Sequence, residues 1–435
     1  MNILNKFSRL TSSIVLKAVD LFSSPIYLYD EQSIISNCNA LQSMPNAYGL
    51  TTRYAMKANS CRSILQIINK QGFQFDASSM NEIRRAHLAG IEYKKIILTT
   101  QEVPIAAERQ ELEYMIMQGL KYNVCSLRQL YLIGDFASKN NVNLAIRVHP
   151  GIGSGESATR NTGDNYSCFG IHLSNIEQAI GYAEKEGISF DHVHVHIGSG
   201  ADSEVWRNNI DLELCILEKY FPKANTISFG GGLKVSRMPD EKTADIQELG
   251  EYAKRKIIQF YQKTGRKLKM EIEPGTYVVA NSGYAVTQVI DKKKTGNDGL
   301  NFIIVNGGME INARPLLYAS RHPFYIISKD GSLLSSEFAE DIGTYDFKAA
   351  IVGRCCESGD SQCLDREGVS IPRKMAEPDI GDIVVIGAVG AYCSSMTPMN
   401  YNSQLQISEI LFTQNGELKE IRKKQTLEQL VANEI

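Results

Sequence analysis

Residues 121–150, KYNVCSLRQLYLIGDFASKNNVNLAIRVHP, decide the fold because they contain a complete strand–helix–strand unit. Residues 121–126 and 144–150 have the apolar, aromatic and β-branched character of short strands. Residues 127–138, between them, have the apolar spacing of a helix. Strands that alternate with helices run parallel in one sheet. The fold therefore depends on how often this unit recurs along the chain.

The unit recurs through the first two-thirds of the chain. Strands are predicted at residues 53–58, 73–78, 95–100, 121–126, 144–150, 192–199, 226–232 and 269–275. Helices are predicted at residues 80–89, 106–118, 127–138, 175–186 and 246–264. Eight strands of this kind predict a (β/α)8 TIM-like barrel, in which all strand ends meet at one face. An open doubly wound sheet is the alternative, but it would place a ligand at a single switch point.

The pattern changes after about residue 280. Strands are predicted at residues 284–290, 302–305, 347–352, 383–386 and 404–412, with Gly and Pro turns and little helix. We therefore predict an α/β barrel over residues 25–280, followed by an all-β sandwich or β-barrel domain. Residues 1–24 are assigned to this second domain together with residues 281–435. Lys17 interrupts the apolar residues 14–16, so an N-terminal helix is expected rather than a targeting segment.

The composition excludes several classes of protein. A net charge of -3 argues against a nucleic-acid surface, and the basic run Lys292–Lys294 is explained by a solvated turn. No segment reaches the roughly 18 apolar residues of a membrane span. The nine cysteines show no CxxC framework, so neither a disulfide scaffold nor a metal site is expected. A reducing cytoplasm fits this cysteine usage best.

Polar or glycine residues lie at the end of every predicted barrel strand. They are Lys57, Asp76, Thr100, Ser126, Arg147, His196, the glycines 230–232 and Glu273. Lys57 ends an apolar strand, a position that is costly for a lysine unless its amine has a chemical role. That role is most often a Schiff base to a carbonyl compound or to pyridoxal 5′-phosphate (PLP). A solvated lysine at a strand edge is the alternative.

Two further strand ends suit such a cofactor. Gly230, Gly231 and Gly232 follow an apolar strand, and a glycine turn lets a phosphate approach the backbone closely, although a tight turn without a ligand is the alternative. Glu271 and Glu273 alternate onto the same side of their strand. A carboxylate there can keep a pyridine nitrogen protonated, whereas a salt bridge at the barrel rim is the competing interpretation.

Histidines and cysteines supply the remaining candidates. His192, His194 and His196 share one face of a strand, a pattern that invites a metal site, but the Gly198 and Ser199 that follow suit a cofactor mouth better. For His192 and His194 the default expectation is a hydrogen-bonded core histidine. Cysteines 355 and 356 stand beside acidic residues, which disfavours a low-pKa nucleophile but allows a proton donor. An inert buried thiol is the alternative for the first of them.

Seven segments, which follow one another along the chain in the same order as in the family, resemble the fold-type III PLP-dependent decarboxylases. This is the family of diaminopimelate, ornithine and arginine decarboxylases. The segments are residues 54–59, 196–199, 230–232, 273–275, 314–318, 356–360 and 390–392. The resemblance covers nearly the whole chain from about residue 25. The Cys-Glu-Ser form at 356–358 and the Arg-Pro…Leu-Tyr element at 314–318 are most similar to the diaminopimelate decarboxylase branch.

The resemblance implies a role for each matching residue. Lys57 would hold PLP covalently, His196 would stack on its ring, and Glu273 would pair with its pyridine nitrogen. Other cofactor contacts would come from Asp76, Ser199, Gly230, Gly231, Gly232 and Tyr392. Substrate would be bound by Arg314 and Tyr318 at a carboxylate and by Glu357 at the distal amine.

The resemblance also implies a reaction and an assembly. The reaction would be decarboxylation of meso-diaminopimelate to L-lysine and CO2, in which Cys356 or Lys57 returns a proton to the carbon that lost the carboxylate. Lys57, His196, Glu273 and Cys356 would be the catalytic residues. The family is dimeric, so Cys356 and Glu357 would reach into the active site of a second copy.

Three positions depart from the family pattern. Thr276 replaces an arginine, Cys168 a lysine or arginine, and Asn306 an aspartate. A replacement charge could come from Arg147, Arg160 or Arg321. These departures leave open a decarboxylase for ornithine, lysine, arginine or a polyamine or siderophore intermediate, or a PLP-binding relative without turnover. A racemase is disfavoured, because that branch of the fold has arginine where Glu273 stands.

Overall fold

The computed structural model describes residues 8–151, 162–164, 166–196, 198 and 203–435. The chain forms two compact units. The barrel unit consists of Asn37–Val235 and Thr243–Tyr277, and the sheet unit of Met1–Ser36, Ser236–Lys242 and Val278–Ile435. The domain boundaries at residues 25 and 280 stay a prediction.

The strands are short and most of them are buried. They are β1 (Ile26–Asp30), β2 (Leu50–Ala55), β3 (Gln74–Ala77), β4 (Ile96–Thr99), β5 (Lys121–Val124), β6 (Leu144–His149), β7 (Ile171–His172), β8 (Phe190–His194), β9 (Thr226–Ser228), β10 (Lys269–Ile272), β11 (Gly283–Lys294), β12 (Asn301–Val305), β13 (Phe324–Ile327), β14 (Leu333–Ser336), β15 (Lys348–Val352), β16 (Arg373–Lys374), β17 (Ile383–Ile386), β18 (Ser408–Phe412) and β19 (Leu418–Arg422).

The helices lie mostly between the barrel strands. They are α1 (Ser12–Phe22), α2 (Glu31–Gln42), α3 (Arg62–Lys70), α4 (Met80–Leu88), α5 (Ala106–Met117), α6 (Leu127–Lys139), α7 (Ile176–Glu186), α8 (Ser203–Tyr220), α9 (Ile246–Thr264), α10 (Thr276–Val279), α11 (Arg314–Tyr318) and α12 (Leu427–Leu430). None of the helices in the described part of the chain combines the length and the low charge needed to cross a membrane.

Eight parallel strands close into a barrel in the order β2–β3–β4–β5–β6–β8–β9–β10. The ring closes where β10 pairs with β2, with Met270 opposite Leu50 and Ile272 opposite Thr52. The predicted (β/α)8 barrel is therefore confirmed, and the open doubly wound sheet is wrong. All eight carboxyl ends lie at one face, as the parallel pairing requires.

The predicted strands extend past the observed ones at their carboxyl ends. Residues 53–58 were expected in one strand, but β2 stops at Ala55 and the chain enters a 3₁₀ turn at Met56–Ala58. Helix α8 was not predicted, because its buried face carries the polar residues Asn209 and Glu213, which obscure the apolar period. Except for Asp76 in β3 and Arg147 in β6, the predicted strand-end residues thus belong to the loops at the barrel face.

The sheet unit contains a ten-stranded, mostly antiparallel sheet. Its main path runs β14–β13–β17–β11–β1–β18–β19, and β12 joins β11 to β15 and β16. Two pairings, β1 with β18 and β12 with β15, are parallel. This sheet confirms the all-β second domain. Strand β1 was missed in the sequence because all five of its residues are buried, so it shows no alternation.

The expected N-terminal helix is present as α1. Thr11 caps it by accepting a hydrogen bond from the Ile14 amide at 3.4 Å. Val15 and Ala18 on its inner face are fully buried in a core that includes Ile26 of β1 and Tyr284 of β11. This apolar face explains why the helix packs on the sheet unit.

Candidate active site

Lys57 lies just beyond the end of β2 at the carboxyl face of the barrel. Its neighbours Met56 and Ala58 are 0% and 1% exposed, whereas the lysine side chain itself is exposed. The buried neighbours hold the turn while the amine reaches the open face. The charge of Lys57 lowers the pKa of Asp76 and of Glu273, although burial acts more strongly on both carboxyls. Strand β10 pairs with β2, and the Ala55 amide donates to the Pro274 carbonyl at 3.3 Å, so Lys57 and Glu273 follow neighbouring strands at the same end of the barrel.

Glu273 follows β10, and two side chains hold its carboxylate. His194 Nε2 lies 3.1 Å from Oε2, and the Ser228 hydroxyl donates to Oε1 at 3.2 Å. Burial raises the pKa of Glu273, but the adjacent His194 and the charge of Lys57 more than reverse this and hold the pKa well below its usual value. Glu273 is therefore an ionised carboxylate in a buried site.

Asp76 in β3 behaves in the opposite way. Burial raises its pKa well above the usual value, and the charge of Glu273 raises it further, while Lys57 and a hydrogen bond with Thr99 lower it. The barrel face thus holds two carboxyls with different protonation. Such a separation is typical of sites that carry out acid–base chemistry.

Glu271 lies one pleat deeper than Glu273, on the same side of β10 as predicted. Arg53 Nε lies 2.7 Å from its Oε1, and His192 Nε2 lies 3.4 Å from the same oxygen. All three side chains are buried. The salt-bridge interpretation therefore describes Glu271, whereas Glu273 contacts histidine and serine at the barrel face.

His196 lies two residues beyond the end of β8. The Gly231 amide donates to its Nδ1 at 3.1 Å, so the proton of the neutral ring is on Nε2. Burial lowers the pKa of His196 well below its usual value, and the positive charges of Arg147 and Lys57 lower it further. The imidazole is therefore neutral and fixed in orientation.

The glycine turn after β9 leaves no room for side chains. Gly230 and Gly232 have φ angles of +66° and +87°, a region that favours glycine. A Cβ on Gly231, whose backbone is not strained, would lie 2.6 Å from the carbonyl oxygen of Glu273. The turn is tight, and it brings backbone atoms without side chains close to His196 and Glu273. Together with the Lys57 amine, this arrangement fits PLP.

Gly231→Ala tests this cradle. Overpacking against the Glu273 carbonyl is expected to lower the free energy of unfolding by about 1–3 kcal/mol and to weaken PLP binding. The control is Gly181→Ala in α7, where a Cβ meets no atom within 4 Å. That change is expected to stabilise by about 0.5–1 kcal/mol. Urea unfolding and PLP titration measure both; equal PLP affinity in the two variants would contradict the cradle.

The sheet unit brings together three other predicted residues. Arg314 is 4% exposed, and its guanidinium lies 5.6 Å from the ring centroid of Tyr318 and 5.9 Å from that of Tyr392. Its Nη2 donates to the Ser320 hydroxyl at 3.2 Å. Tyr392 has a φ of +57°, rare for a residue with a side chain and often found at functional sites.

Cys356 and Glu357 are exposed on a loop of the same unit. The loop is held by Asp360, which accepts from the amides of Cys355 at 2.7 Å and Met309 at 2.6 Å. Burial and the nearby acids raise the pKa of Cys355 to about 12, so its thiol stays protonated. Hydrogen bonds, first from Tyr401 at 2.9 Å, lower the pKa of Glu357.

Two of the residues predicted to bind phosphate or to supply a replacement charge, Ser199 and Arg160, lie outside the described residues. Arg321 is paired with both oxygens of Asp240, so its charge is already engaged. Asn306 bonds the Gln288 amide and Ser24, a structural role.

The two other positions that depart from the family pattern are Cys168 and Thr276. Cys168 is exposed, and its thiol accepts a hydrogen bond from the Gln101 side-chain amide, whereas Thr276 is the first residue of α10. Arg147 is buried in β6, and its charge acts on His196. Of the three arginines named as replacements, Arg147 is the one whose described contacts reach the site.

Sequence reasoning missed the role of His194, for which a core position was the default. Its bond to Glu273 depends on β8 and β10, which are far apart in the chain. No sequence pattern pointed to Asn123 or Ser228. The alternation of three histidines was the available signal, and it showed which face they share without showing which carboxylate each would meet.

Comparisons with known proteins agree with this geometry. Residues 31–280 match the family described as pyridoxal-dependent decarboxylase, pyridoxal binding domain. The chain is similar to diaminopimelate decarboxylase of Escherichia coli K12, with 31% identity over 98% of this chain and 97% of that protein. It is 32% identical to that of Buchnera aphidicola subsp. Baizongia pistaciae, over 100% and 99% of the two chains.

Solved structures show the same likeness. A crystal structure of diaminopimelate decarboxylase superposes with a TM-score of 0.88 at 30% identity, over 99% of this chain and 98% of that one. The Helicobacter pylori enzyme complexed with L-lysine superposes with a TM-score of 0.79 at 26% identity, over 96% and 98%.

Proposed function

Since this chain belongs to the pyridoxal-dependent decarboxylase family, we propose that it converts meso-diaminopimelate into L-lysine and CO2. Membership confirms the resemblance that the seven motifs indicated. The chain is a PLP-dependent carboxy-lyase of the diaminopimelate decarboxylase type. The observation that carries the proposal is the ionised Glu273 beside a neutral His196 and the Lys57 amine.

When bound, PLP supplies an electron sink for the charge left on carbon as CO2 departs. Glu273 makes that sink effective, because its negative charge favours a proton on the pyridine nitrogen. His196 contributes a flat, uncharged ring that can stack without competing for this charge. Lys57 holds the cofactor through Nζ and can return a proton to the reacting carbon.

The phosphate end is assigned to the glycine turn. Gly230, Gly231 and Gly232 present backbone without side chains, so an anion can approach closely. Ser199 and Tyr392 are assigned to the same phosphate by their places in the family motifs. Asp76 is assigned to the cofactor site because it shares the barrel face with Lys57 and Glu273.

Substrate recognition is assigned to the sheet unit. Arg314 is a buried cation beside two tyrosine rings, which suits a carboxylate of the substrate. Tyr318 would donate to the same carboxylate. Glu357 is a carboxylate with a lowered pKa, which suits the distal ammonium of the substrate. Cys356 would hold a proton for the reacting carbon.

The proposed assembly is a homodimer with shared active sites. Cys356 and Glu357 are exposed on their loop. Residues that enter the active site of a second copy have to be exposed when one chain is considered by itself. A cytoplasmic location is proposed as well. None of the nine cysteines, all of which lie in the described residues, forms a disulfide, which fits a reducing compartment.

A substrate panel tests the proposed reaction. The purified protein with PLP is expected to release CO2 from meso-diaminopimelate with a kcat/KM about 10²-fold or more above that for ornithine, lysine or arginine. L-lysine should appear in equal amount. Captured CO2 and chromatography of the amino acids measure both products.

Two outcomes would contradict it. Turnover of ornithine or arginine without turnover of meso-diaminopimelate would overturn the substrate. Binding of PLP without CO2 release from any amino acid would favour the non-catalytic relative.

A further inference from the structure

A row of buried polar side chains crosses the barrel interior from Asp76 to Glu273. The connecting residues are Thr99 on β4, Asn123 on β5 and His194 on β8, and we call these three the polar bridge. Asn123 Nδ2 lies 3.2 Å from the Thr99 hydroxyl and 3.0 Å from His194 Nδ1. His194 Nε2 lies 3.1 Å from Glu273, and Thr99 hydrogen-bonds Asp76. These contacts place the two carboxyls at the ends of one row of polar side chains, in which Asp76 Oδ1 and Asn123 Oδ1 have no hydrogen-bond partner among the described residues.

The bridge lies in the dry part of the barrel. Asn123 is 0% exposed, His194 1% and Thr99 8%. Hydrogen bonds are stronger in such an environment, and an unsatisfied group there is costly. The two contacts of Asn123 Nδ2, with Thr99 and with His194 Nδ1, therefore favour one orientation of the amide and of the imidazole.

The bridge determines which nitrogen of His194 carries the proton. The Asn123 amide donates to Nδ1, so Nδ1 is the acceptor and the N–H is on Nε2. Nε2 is the atom that faces Glu273. The hydrogen bond from Asn123 thus fixes the tautomer in which His194 presents its N–H to the Glu273 carboxylate. Outer hydrogen-bond partners often fix the tautomer of a functional histidine in this way.

We propose that Thr99, Asn123 and His194 position the Glu273 carboxylate for the pyridine nitrogen of the cofactor. The proposal rests on the function assigned above. None of the three needs to touch substrate or cofactor: His194 acts through Glu273, Asn123 through His194 and Thr99 through Asn123. The bridge also couples Glu273 to Asp76, so a change at one end is expected to alter the titration of the other.

Other groups also act on Glu273, and a pH test must allow for them. The titratable groups that influence it, or that it influences, come from six elements of the barrel unit and their loops: Lys57, Asp76, Cys125, His192, His194, His196, Glu213 and Glu271. Two described side chains contact its carboxylate directly: His194 Nε2 lies 3.1 Å from Oε2, and the Ser228 hydroxyl donates to Oε1 at 3.2 Å.

His192 provides a matched control for the substitution of His194. His192 lies two residues before His194 on the same strand and face, and it is equally buried. It lies 3.4 Å from Glu271 and not against Glu273. Substituting either histidine removes an imidazole from the same core, but only one change removes the donor to Glu273.

The test compares leucine and glutamine at both positions. Loss of a hydrogen bond to a charged group predicts that His194→Leu lowers kcat about 10- to 100-fold with KM within about threefold, and weakens PLP binding. His194→Gln keeps an N–H at the end of the side chain and should recover most of the loss. His192→Leu and His192→Gln should keep the wild-type kcat and PLP affinity.

If His194→Leu does not fold, Asn123→Ala tests the polar bridge in its place. Asn123→Ala removes the donor to Nδ1, and its effect on PLP affinity should not add to that of His194→Gln, because it acts through the histidine. The absorbance of bound PLP, titrated with pH, should shift in the His194 and Asn123 variants and stay unchanged in the His192 variants.

The outcomes separate the two proposals. Equal loss of PLP affinity and an equal spectral shift in the His192 and His194 variants would overturn the polar bridge. Fully additive effects at positions 123 and 194 would also overturn it. A wild-type protein that binds PLP but does not act on meso-diaminopimelate would overturn the proposed function, and the spectral comparison would still decide the bridge.

Discussion

Lys57→Ala is expected to abolish decarboxylation and to remove the absorbance band of a lysine-linked cofactor. Activity should fall by about 10³-fold or more, because the lysine is proposed to hold the cofactor and to move a proton, and proton transfer alone contributes about 10²- to 10⁴-fold. The fold should survive, since the side chain is exposed and the core contacts of the turn come from Met56 and Ala58.

Lys70→Ala provides the matched control. Lys70 is the next lysine along the chain and is exposed at the end of α3. Its variant should keep the absorbance band and full activity. An unchanged absorbance band after Lys57→Ala would show that another amine holds the cofactor, and the assignment of the site would be wrong.

Glu273→Gln is expected to lower kcat by about 10²- to 10³-fold, the typical cost of removing one electrostatic contact to a developing charge. An amide carries no negative charge, so it cannot keep the pyridine nitrogen protonated. KM should change little, because Glu273 is assigned to the cofactor and not to the substrate. Steady-state kinetics with meso-diaminopimelate and the spectrum of bound PLP measure the effect.

Glu271→Gln separates chemistry from stability. Glu271 is on the same strand and just as buried, but it pairs with Arg53 at 2.7 Å. Weakening that pair leaves a buried guanidinium poorly compensated, which is expected to cost up to about 3–5 kcal/mol of stability. The kcat of the protein that remains folded should be near that of the wild type. The same kcat loss in both variants would contradict the distinct role of Glu273.

The barrel could be predicted because its signal is local. Alternating strands and helices, each readable from a few residues, predict a parallel sheet, and eight of them favour closure into a barrel. For β1 and α8, burial explains why the local signal failed. Strand β1 is buried on both sides, and α8 has Asn209 and Glu213 on its buried face.

Candidate site residues could be predicted for a related reason. Parallel strands end at one face, so polar residues at strand ends must gather there, and Lys57, Asp76, His196 and Glu273 do so. Their partners could not be predicted in this way. The neighbours of Glu273 come from β8 and β9, and which side chains meet across a barrel depends on stagger and side-chain packing.

The two glutamates of β10 show what each level decides. The amino-acid order alone placed Glu271 and Glu273 on one side of a strand, because side chains alternate with a period of two. Only the folded barrel made them different. It set Arg53 against the first and an imidazole donor against the second, since residues distant in the chain become neighbours through strand pairing. The chemistry of a carboxylate in a dry interior is determined by those neighbours.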